Sequence, residues 1–259
     1  MEIATWNVNS VRARAQRVTQ FLERTQVDVL AMQEIKCKPE QFPYADFEAI
    51  GYEVIAHGLN QWNGVAFAYK KDLAPTDIET SFPQQPHFKD SLEARALGAT
   101  FGDIRIWSLY VPHGRGLDDP HMDYKLEFLE RLGSLVAEEL EEDPSSQIAL
   151  VGDFNIAPLD SDVFNVGFFD THVSQPERDV FDVFEQIGFT DLHRKFVPEG
   201  YTYWDYKDLR FPRNEGMRID FILSSPELTE RITAGSIERD ERKGEGPSDH
   251  VPVIASISG

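Results

Sequence analysis

The segment ALVGDFN, residues 149–155, starts as an apolar run and ends in two polar side chains. Asp153 and Asn155 cost free energy to desolvate and favour turns over strands. Because Gly, Asp and Asn are ordinary turn residues, this segment alone predicts a strand followed by a turn. A more specific interpretation requires other strands that end in the same way.

Polar side chains also end or interrupt other predicted strands. They are Asn7 and Asn9 in MEIATWNVN, Glu34 after VDVLAMQ, Tyr110 before VPHGR, Asp220 within MRIDFIL, and Asp249 with His250 before the final strand. Residues i and i+2 of a strand share a face, so Asn7 and Asn9 are expected to point the same way. Asp153 and Asn155 have the same spacing.

Asp220 is the hardest of these residues to explain as an ordinary strand residue. Its neighbours Ile219 and Phe221 are apolar, so the carboxylate is expected to be buried and to need a partner. A neutral or cationic histidine such as His250 would supply that partner.

Helices and strands are mixed along the chain, with several strands in direct succession. Apolar spacing predicts helices at 11–25, behind an N-cap at Ser10, at 123–142, and at 178–187. The predicted strands are MEIATWNV, residues 27–32, YEVIAH, NGVAFAYK, ARALGATF, IRIWSLYV, IALV, MRIDFILSS and VPVIASIS. This mixture predicts an α/β fold with two sheets, or one large mixed sheet, covered by helices. Because no linker or repeat interrupts it, we expect a single domain over residues 1–259.

Composition narrows the class of protein. The 259 residues are 41% hydrophobic and 27% charged, as in a soluble globular protein. The single cysteine, Cys37, excludes an intramolecular disulfide and suits a reducing compartment. No signal peptide and no apolar stretch of membrane-spanning length is visible, so we expect a cytoplasmic protein that does not bind membranes.

The charge balance is strongly acidic. Lys and Arg total 25 against 45 Asp and Glu, for a formal charge of -20. Taken alone, this argues against nucleic acid as a partner, since proteins that bind it usually carry a basic surface.

If the polar strand ends converge, their carboxylates and amides suit a hard divalent cation. Mg²⁺ prefers carboxylate oxygen and keeps water or phosphate in its remaining positions. The sequence has no HExxH or CxxC zinc pattern, no Walker loop and no GxSxG elbow. Metal-assisted hydrolysis of a phosphoester is the remaining reaction class.

Six segments together resemble the exonuclease III family of apurinic/apyrimidinic (AP) endonucleases, within the DNase I-like phosphohydrolases. They are TWNVNSVRAR, VLAMQEIK, LYVPHGR, VGDFNIAP, RNEGMRIDFIL and GPSDHVPV. Each is weak alone, but all six occur in the family's order between residues 5 and 253.

The resemblance implies a four-layer α/β sandwich with two mixed sheets face to face and helices outside. It implies Mg²⁺, with Mn²⁺ as a substitute, in a shell drawn from Glu34, Asn7, Asp153, Asn155, Asp249 and His250. Asp153 would activate the attacking water or protonate the leaving oxygen, with Asn155 holding that carboxylate and the phosphate. Tyr110 would donate to a phosphate oxygen or stabilise the leaving group, and His250 paired with Asp220 would stabilise developing charge or act as base.

The resemblance also implies the substrate, which is double-stranded DNA with abasic sites or blocked 3′ ends, bound by a monomer. Tyr203, Met217 and Ile219 would wall a pocket for a flipped-out sugar without its base, although the same residues are also typical of a core. Candidate DNA contacts are Asn9, Arg12, Arg14, His113, Arg115, Arg210, Arg213 and Arg218. His113 and Met217 depart from the residues that the family more often carries there.

Three alternatives remain open from the sequence. One is a 3′-end-processing exonuclease or phosphatase with weak AP-endonuclease activity. The second is a phosphohydrolase of the same fold that acts on phosphoinositides or sphingomyelin. The third is a DNA-binding module without catalysis, which predicts a missing catalytic position, and none is missing.

Overall fold

The structure is a computed structural model that describes residues 1–259, apart from the side chain of residue 193. Its strands are β1 (Glu2–Asn7), β2 (Val29–Gln33), β3 (Tyr52–His57), β4 (Val65–Lys70), β5 (Thr76–Glu79), β6 (Ala96–Phe101), β7 (Ile104–Tyr110), β8 (Ile148–Asp153), β9 (Thr190–Asp191), β10 (Asp220–Ser224), β11 (Ile232–Ile237) and β12 (Val253–Ile257). Its α-helices are α1 (Val11–Thr25), α2 (Tyr44–Glu48), α3 (Pro120–Glu142), α4 (Gln175–Ile187), α5 (Leu192–Phe196), α6 (Arg210–Arg213) and α7 (Pro226–Glu230).

The strands form two mixed six-stranded sheets. Sheet one has the order β11-β12-β1-β2-β4-β3, and sheet two has the order β5-β6-β7-β8-β10-β9. In sheet one β1 runs parallel to β2, and in sheet two β7 runs parallel to β8, while the other pairs are antiparallel. The prediction of an α/β fold with two mixed sheets is confirmed.

Apolar clusters on both faces of each sheet create four layers. Along β8, Ala149 and Val151 pack between the sheets, whereas Ile148 and Leu150 pack beneath α3 and α4. This alternation follows from the two-residue period of a strand, and it explains why the run is apolar at every position. The outer face of sheet one is covered in the same way by α1 and α2. The layers are therefore helix, sheet, sheet, helix.

Helix starts differ from the sequence-based predictions. α3 begins at Pro120, three positions earlier than predicted, because Asp119 caps it by accepting from the His121 N–H at 2.8 Å. α4 begins at Gln175, also three positions early. Ser10 stands before α1 as predicted, but its φ is 82° and its side chain makes no capping hydrogen bond to a described residue. The N-cap role predicted for Ser10 is therefore wrong.

Seven strands and α-helices were not predicted from the sequence. They are β5, β9 and β11 together with the short helices α2, α5, α6 and α7. β2 begins at Val29 rather than at Val27. Within the part of the chain that the structure describes, no helix is long and apolar enough to cross a membrane.

Gly152 explains the abrupt end of the apolar run in β8. Its φ is 148°, and a Cβ at this position would lie 1.9 Å from the carbonyl oxygen of Leu109 on β7. Only glycine tolerates this close approach. The next residue, Asp153, is thereby held tightly against the end of β7.

Candidate active site

Three catalytic candidates lie side by side at one end of sheet two. In the strand register, Tyr110 of β7 is the partner of Asp153 on β8, and Asp153 is the partner of Asp220 on β10. On the facing sheet, Asn7 ends β1 beside Gln33 of β2. The polar strand ends predicted from the sequence therefore converge at one rim.

Asp220 and His250 form a buried pair. His250 Nδ1 lies 2.9 and 3.1 Å from the two carboxylate oxygens of Asp220, and Thr202 Oγ1 donates to Asp220 Oδ2 at 2.6 Å. Burial alone would lower the pKa of His250, but the carboxylates of Asp220 and Asp153 raise it to about 10. The imidazole is therefore a cation at neutral pH, which is one of the two forms that the sequence left open.

Asp153 connects the two sheets. Its Oδ2 accepts from Asn7 Nδ2 at 2.9 Å and faces His250 Nε2 at 3.8 Å, while its Oδ1 accepts from the Asn155 N–H at 2.9 Å. Burial raises the pKa of Asp153 to about 7, although the charge on His250 opposes the rise. A carboxylate with a pKa near neutrality is suited to proton transfer.

We expect the Asp220–His250 pair to stabilise the fold at low pH and to lose that contribution in alkali. The pKa of His250 is raised from 6.5 to about 10, so the native protein holds this proton more tightly than the unfolded chain does. The stabilisation is complete below pH 6.5 and is lost as pH rises through 10. Urea unfolding in metal-free buffer should therefore show wild type more stable than His250→Asn by a few kcal/mol at about pH 6. A stability gap that grows towards pH 10 would show that His250 is not a cation.

Asn155 reaches the site through its backbone. Its side-chain Nδ2 donates to the Val111 carbonyl at 2.9 Å, and its Oδ1 lies 3.3 Å from His172 Nε2. Its φ of 52° is left-handed, a conformation that asparagine adopts more readily than most residues other than glycine. The sequence-based role of holding Asp153 is thus carried by the Asn155 N–H rather than by the amide side chain.

Oxygen atoms gather around a cation next to this network. Lys36 Nζ lies 2.8 Å from Glu34 Oε1 and donates to Asn9 Oδ1 at 2.7 Å. Asn9 Nδ2 in turn donates to Asp249 Oδ1 at 2.9 Å, and the Asn9 N–H donates to Asn7 Oδ1 at 3.0 Å. The oxygens of Glu34 and Asn9 already hold one cation, and carboxylate and amide oxygens are the ligand type that Mg²⁺ prefers. The residues present therefore fit a divalent metal.

A second set of side chains has the spacing of metal ligands but is better described as a charge network. One ligand atom each from Asp153, Asp220 and His250 lie within 4.8 Å of one another. His250 Nδ1 is already bonded to Asp220, and the raised pKa of the ring favours the imidazolium, which has no lone pair to offer a metal. The predicted place of His250 in the metal shell therefore competes with its pairing to Asp220.

Tyr110 is supported by a cation that the sequence reasoning missed. The guanidinium of Arg95 lies 4.9 Å from the centre of the Tyr110 ring and 3.3 Å from the Tyr110 carbonyl oxygen. Burial and the charge of Glu34 hold the pKa of Tyr110 well above its usual value, although Arg95 opposes the rise. The phenol therefore stays protonated and is able to donate a hydrogen bond.

A cavity of about 300 Å³ opens beside the charge network. Tyr203 and Met217 line it as predicted, and the Tyr203 ring lies 4.9 Å from the His250 ring. Ile219 is buried with Met217 behind it and is not among the described residues that line the cavity. Lining residues that the sequence reasoning missed are Phe164, Phe168, Phe169 and His172.

The side chains of the candidate DNA contacts differ in their exposure and in the hydrogen bonds and ion pairs that they already make. Arg12, His113, Arg115 and Arg213 are exposed, whereas Arg14 donates to Tyr206 Oη at 3.0 Å. Arg210 is paired with Glu215 at 2.6 Å and lies 4.4 Å from the Phe168 ring. Arg218 is fully buried and donates to the Val197 carbonyl at 2.9 Å. The prediction that Arg218 contacts DNA is therefore wrong, because its side chain supports the fold.

Comparisons with known proteins agree with this geometry. Residues 4–250 match the family described as Endonuclease/Exonuclease/phosphatase family. The exodeoxyribonuclease III of Haemophilus influenzae is 32% identical over 99% of this chain and 100% of that protein. A 3′ phosphatase from Neisseria, solved with a product DNA hairpin, is 33% identical with a TM-score of 0.92. An AP endonuclease from Archaeoglobus fulgidus is 34% identical with a TM-score of 0.91, and both structural alignments cover 100% of both chains.

Proposed function

The chain belongs to the endonuclease/exonuclease/phosphatase family and is a DNA-repair nuclease of the exodeoxyribonuclease III type, and we propose that it uses Mg²⁺ to incise duplex DNA 5′ to abasic sites and to clear blocked 3′ ends. The observation that carries this proposal is the network of Asn7, Asp153, His250 and Asp220. In this network the Asp153 carboxylate, which can accept a proton, lies beside the His250 cation. We further propose that the enzyme acts as a monomer in the cytoplasm.

One site serves all of the proposed activities because each breaks the same bond. Incision 5′ to an abasic site, release of a 3′ phosphate and removal of a 3′ nucleotide all cleave the bond between phosphorus and O3′. In each case water attacks phosphorus and the 3′ oxygen leaves with a proton. The three activities therefore share one reaction and differ only in the part of the DNA that the protein binds next to the reacting phosphate.

The side chains of the site take separate roles in this reaction. Asp153 accepts the proton of the attacking water, and the Asn7 amide holds the carboxylate in place. The His250 cation stabilises negative charge that develops on the phosphate oxygens. The Tyr110 phenol donates to the phosphate or to the leaving oxygen. A divalent metal held by Glu34 and Asn7 would neutralise phosphate charge when bound.

The cavity beside the site suits a nucleotide that has left the base stack. Its walls include the Tyr203 ring and Met217, and it opens beside His250. A nucleotide without a base costs less free energy to unstack than a normal one, which favours entry of an abasic site. This supports the AP-endonuclease activity.

A second candidate function is 3′-end processing with weak AP-endonuclease activity. The similarity to a Neisseria 3′ phosphatase is as high as that to an AP endonuclease, since the TM-scores are 0.92 and 0.91. The two candidates share the phosphate site and differ in the use of the cavity. A direct comparison of substrates separates them.

The test is cleavage of three duplexes by the purified protein. One carries a single internal abasic site, one ends in a 3′ phosphate, and one is undamaged. We expect Mg²⁺-dependent incision 5′ to the abasic site that leaves a 3′ hydroxyl, together with release of phosphate from the blocked end. Glu34→Gln should weaken both reactions, because it removes the charge assigned to the metal.

The outcomes of this test separate the alternatives. Phosphate release without incision of abasic DNA would support the second candidate and contradict the first. Cleavage that survives a chelator, or activity on inositol phosphates or sphingomyelin but on none of the DNAs, would contradict the proposal as a whole.

A further inference from the structure

A buried ion pair lies behind the site and has no role in the chemistry described so far. Lys125 of α3 donates to Glu177 Oε1 of α4, and both side chains are 0% exposed. A buried pair of this kind costs free energy to desolvate and contributes little net stability. The other hydrogen bonds of Lys125 and Glu177 therefore indicate what the pair contributes.

The ammonium of Lys125 joins the two loops that carry site residues. Besides Glu177, it donates to the Asn155 carbonyl at 2.6 Å and to the His113 carbonyl at 3.3 Å. Asn155 follows the catalytic strand β8, and His113 follows β7. One side chain thus sets the spacing between both loops.

Glu177 binds a third segment, residues 172–174, to the Lys125–Glu177 pair. Its Oε1 accepts from the His172 N–H at 2.9 Å, and its Oε2 accepts from the Ser174 hydroxyl at 2.6 Å. The His172 ring lies 3.3 Å from Asn155 Oδ1 and 4.6 Å from the centre of the His113 ring. The pair therefore supports Asn155 through its carbonyl and through its side chain.

Asn155 has a left-handed φ of 52°, which asparagine adopts more readily than most other residues, and hydrogen bonds hold it there from several sides. Its N–H holds Asp153 at 2.9 Å, its side chain is held by Val111, and its carbonyl is held by Lys125. Loss of the ammonium would free the carbonyl and loosen the N–H that orients Asp153.

We propose that Lys125 is a positioning residue for phosphoester hydrolysis, which acts on Asp153 through the backbone of Asn155. The inference rests on the proposed function only for the identity of the reaction that it supports. It predicts a loss of turnover from a side chain that lies outside the cavity and touches no substrate.

The test compares wild type with Lys125→Met/Glu177→Gln. The double variant keeps an Oε1 at residue 177 that accepts from the His172 N–H. It has neither a stranded carboxylate nor a stranded ammonium, so it avoids the unpaired buried charge that either single substitution would create. It loses the Lys125 ammonium and the hydrogen bonds to the Asn155 and His113 carbonyls. Lys70→Met/Asp28→Asn, which removes a partly exposed ion pair of 2.8 Å between β4 and the segment before β2, is the control.

We expect the control to stay within about 3-fold of wild type, and Lys125→Met/Glu177→Gln to lose roughly 10- to 100-fold in kcat with KM changed by less than about 3-fold. Without DNA, amide exchange of residues 154–157 should be faster in Lys125→Met/Glu177→Gln than in wild type. Equal kcat and equal exchange in the two proteins would overturn the proposal, as would a loss confined to KM or to the melting temperature. If wild type itself cleaves none of the DNAs, the proposed function fails, while amide exchange still decides the inference.

Discussion

Asp153→Asn is expected to lose about 10³-fold or more in the rate of DNA cleavage while it binds DNA nearly as tightly as wild type. An amide at this position accepts no proton from water. In wild type the two carboxylate oxygens accept from Asn7 Nδ2 and from the Asn155 N–H. The amide replaces one of these oxygens with an NH₂ group, which cannot accept, so one of the two hydrogen bonds is lost. The measurement is single-turnover cleavage of the 3′-phosphate and abasic duplexes in Mg²⁺, with the Kd determined in parallel.

Asp28→Asn is the matched control for this variant. Asp28 also accepts a backbone N–H, from Glu2 at 2.7 Å, and a side-chain donor, from Lys70 at 2.8 Å, but it lies away from the site. It should cleave DNA at the wild-type rate. A loss of less than about 10-fold in Asp153→Asn would mean that another group takes the proton from water.

The convergence of the strand ends was predictable in part. The apolar runs and their polar endings show which residues leave each strand, and the resemblance to a family gives their order. The sequence does not show which strands are neighbours. The pairing of Asp153 with both Tyr110 and Asp220 depends on the order β7-β8-β10, in which two neighbours come from distant parts of the chain.

Buried charges were the main failure of the sequence reasoning. The sequence places Arg218 among the candidate DNA contacts and gives no signal for Lys125, since charged side chains are rarely fully buried. Both are fully buried, and their partners are carbonyl groups and acids from distant segments. A tertiary partner of this kind leaves no periodic signal. The SxxE pattern of Ser174 and Glu177 is a local signal that would have located the start of α4.

Part of the charge of -20 lies away from the site, although Asp205, Asp208 and Glu215 line the cavity itself. The acid-dense segment EELEED, residues 138–143, ends α3 and precedes β8, whose far end carries Asp153. At about 3.3 Å per strand residue, the length of β8 places roughly 15–20 Å between its two ends. Screening at physiological salt weakens repulsion over that distance, since the Debye length is about 8 Å. Exposed arginines such as Arg12, Arg115 and Arg213 are then free to contact the phosphate backbone.

His250→Asn is the second variant with a large expected effect, and its signature differs from that of Asp153→Asn. Asparagine removes the cation that faces Asp153 and the phosphate, so kcat should fall about 10²- to 10³-fold while KM changes little. The reason is that charge on the phosphate oxygens grows in the transition state, and the interaction with His250 grows with it. A change confined to KM would assign His250 to substrate binding instead.

Asp220→Asn tests the charge of His250 without removing the ring. Asp220 is the carboxylate that contributes most to the raised pKa of His250, so its loss should return that pKa towards the ordinary value near 6.5. Relative to wild type at the same pH, the variant should then keep more activity at about pH 6 and lose it as pH rises, whereas wild type holds its His250 proton to about pH 10. The double variant Asp220→Asn/His250→Asn should lose little more activity than His250→Asn alone, because Asp220 acts through the histidine. Additive losses, or a loss in Asp220→Asn that does not change with pH, would show that Asp220 supports the fold and does not set the charge of His250.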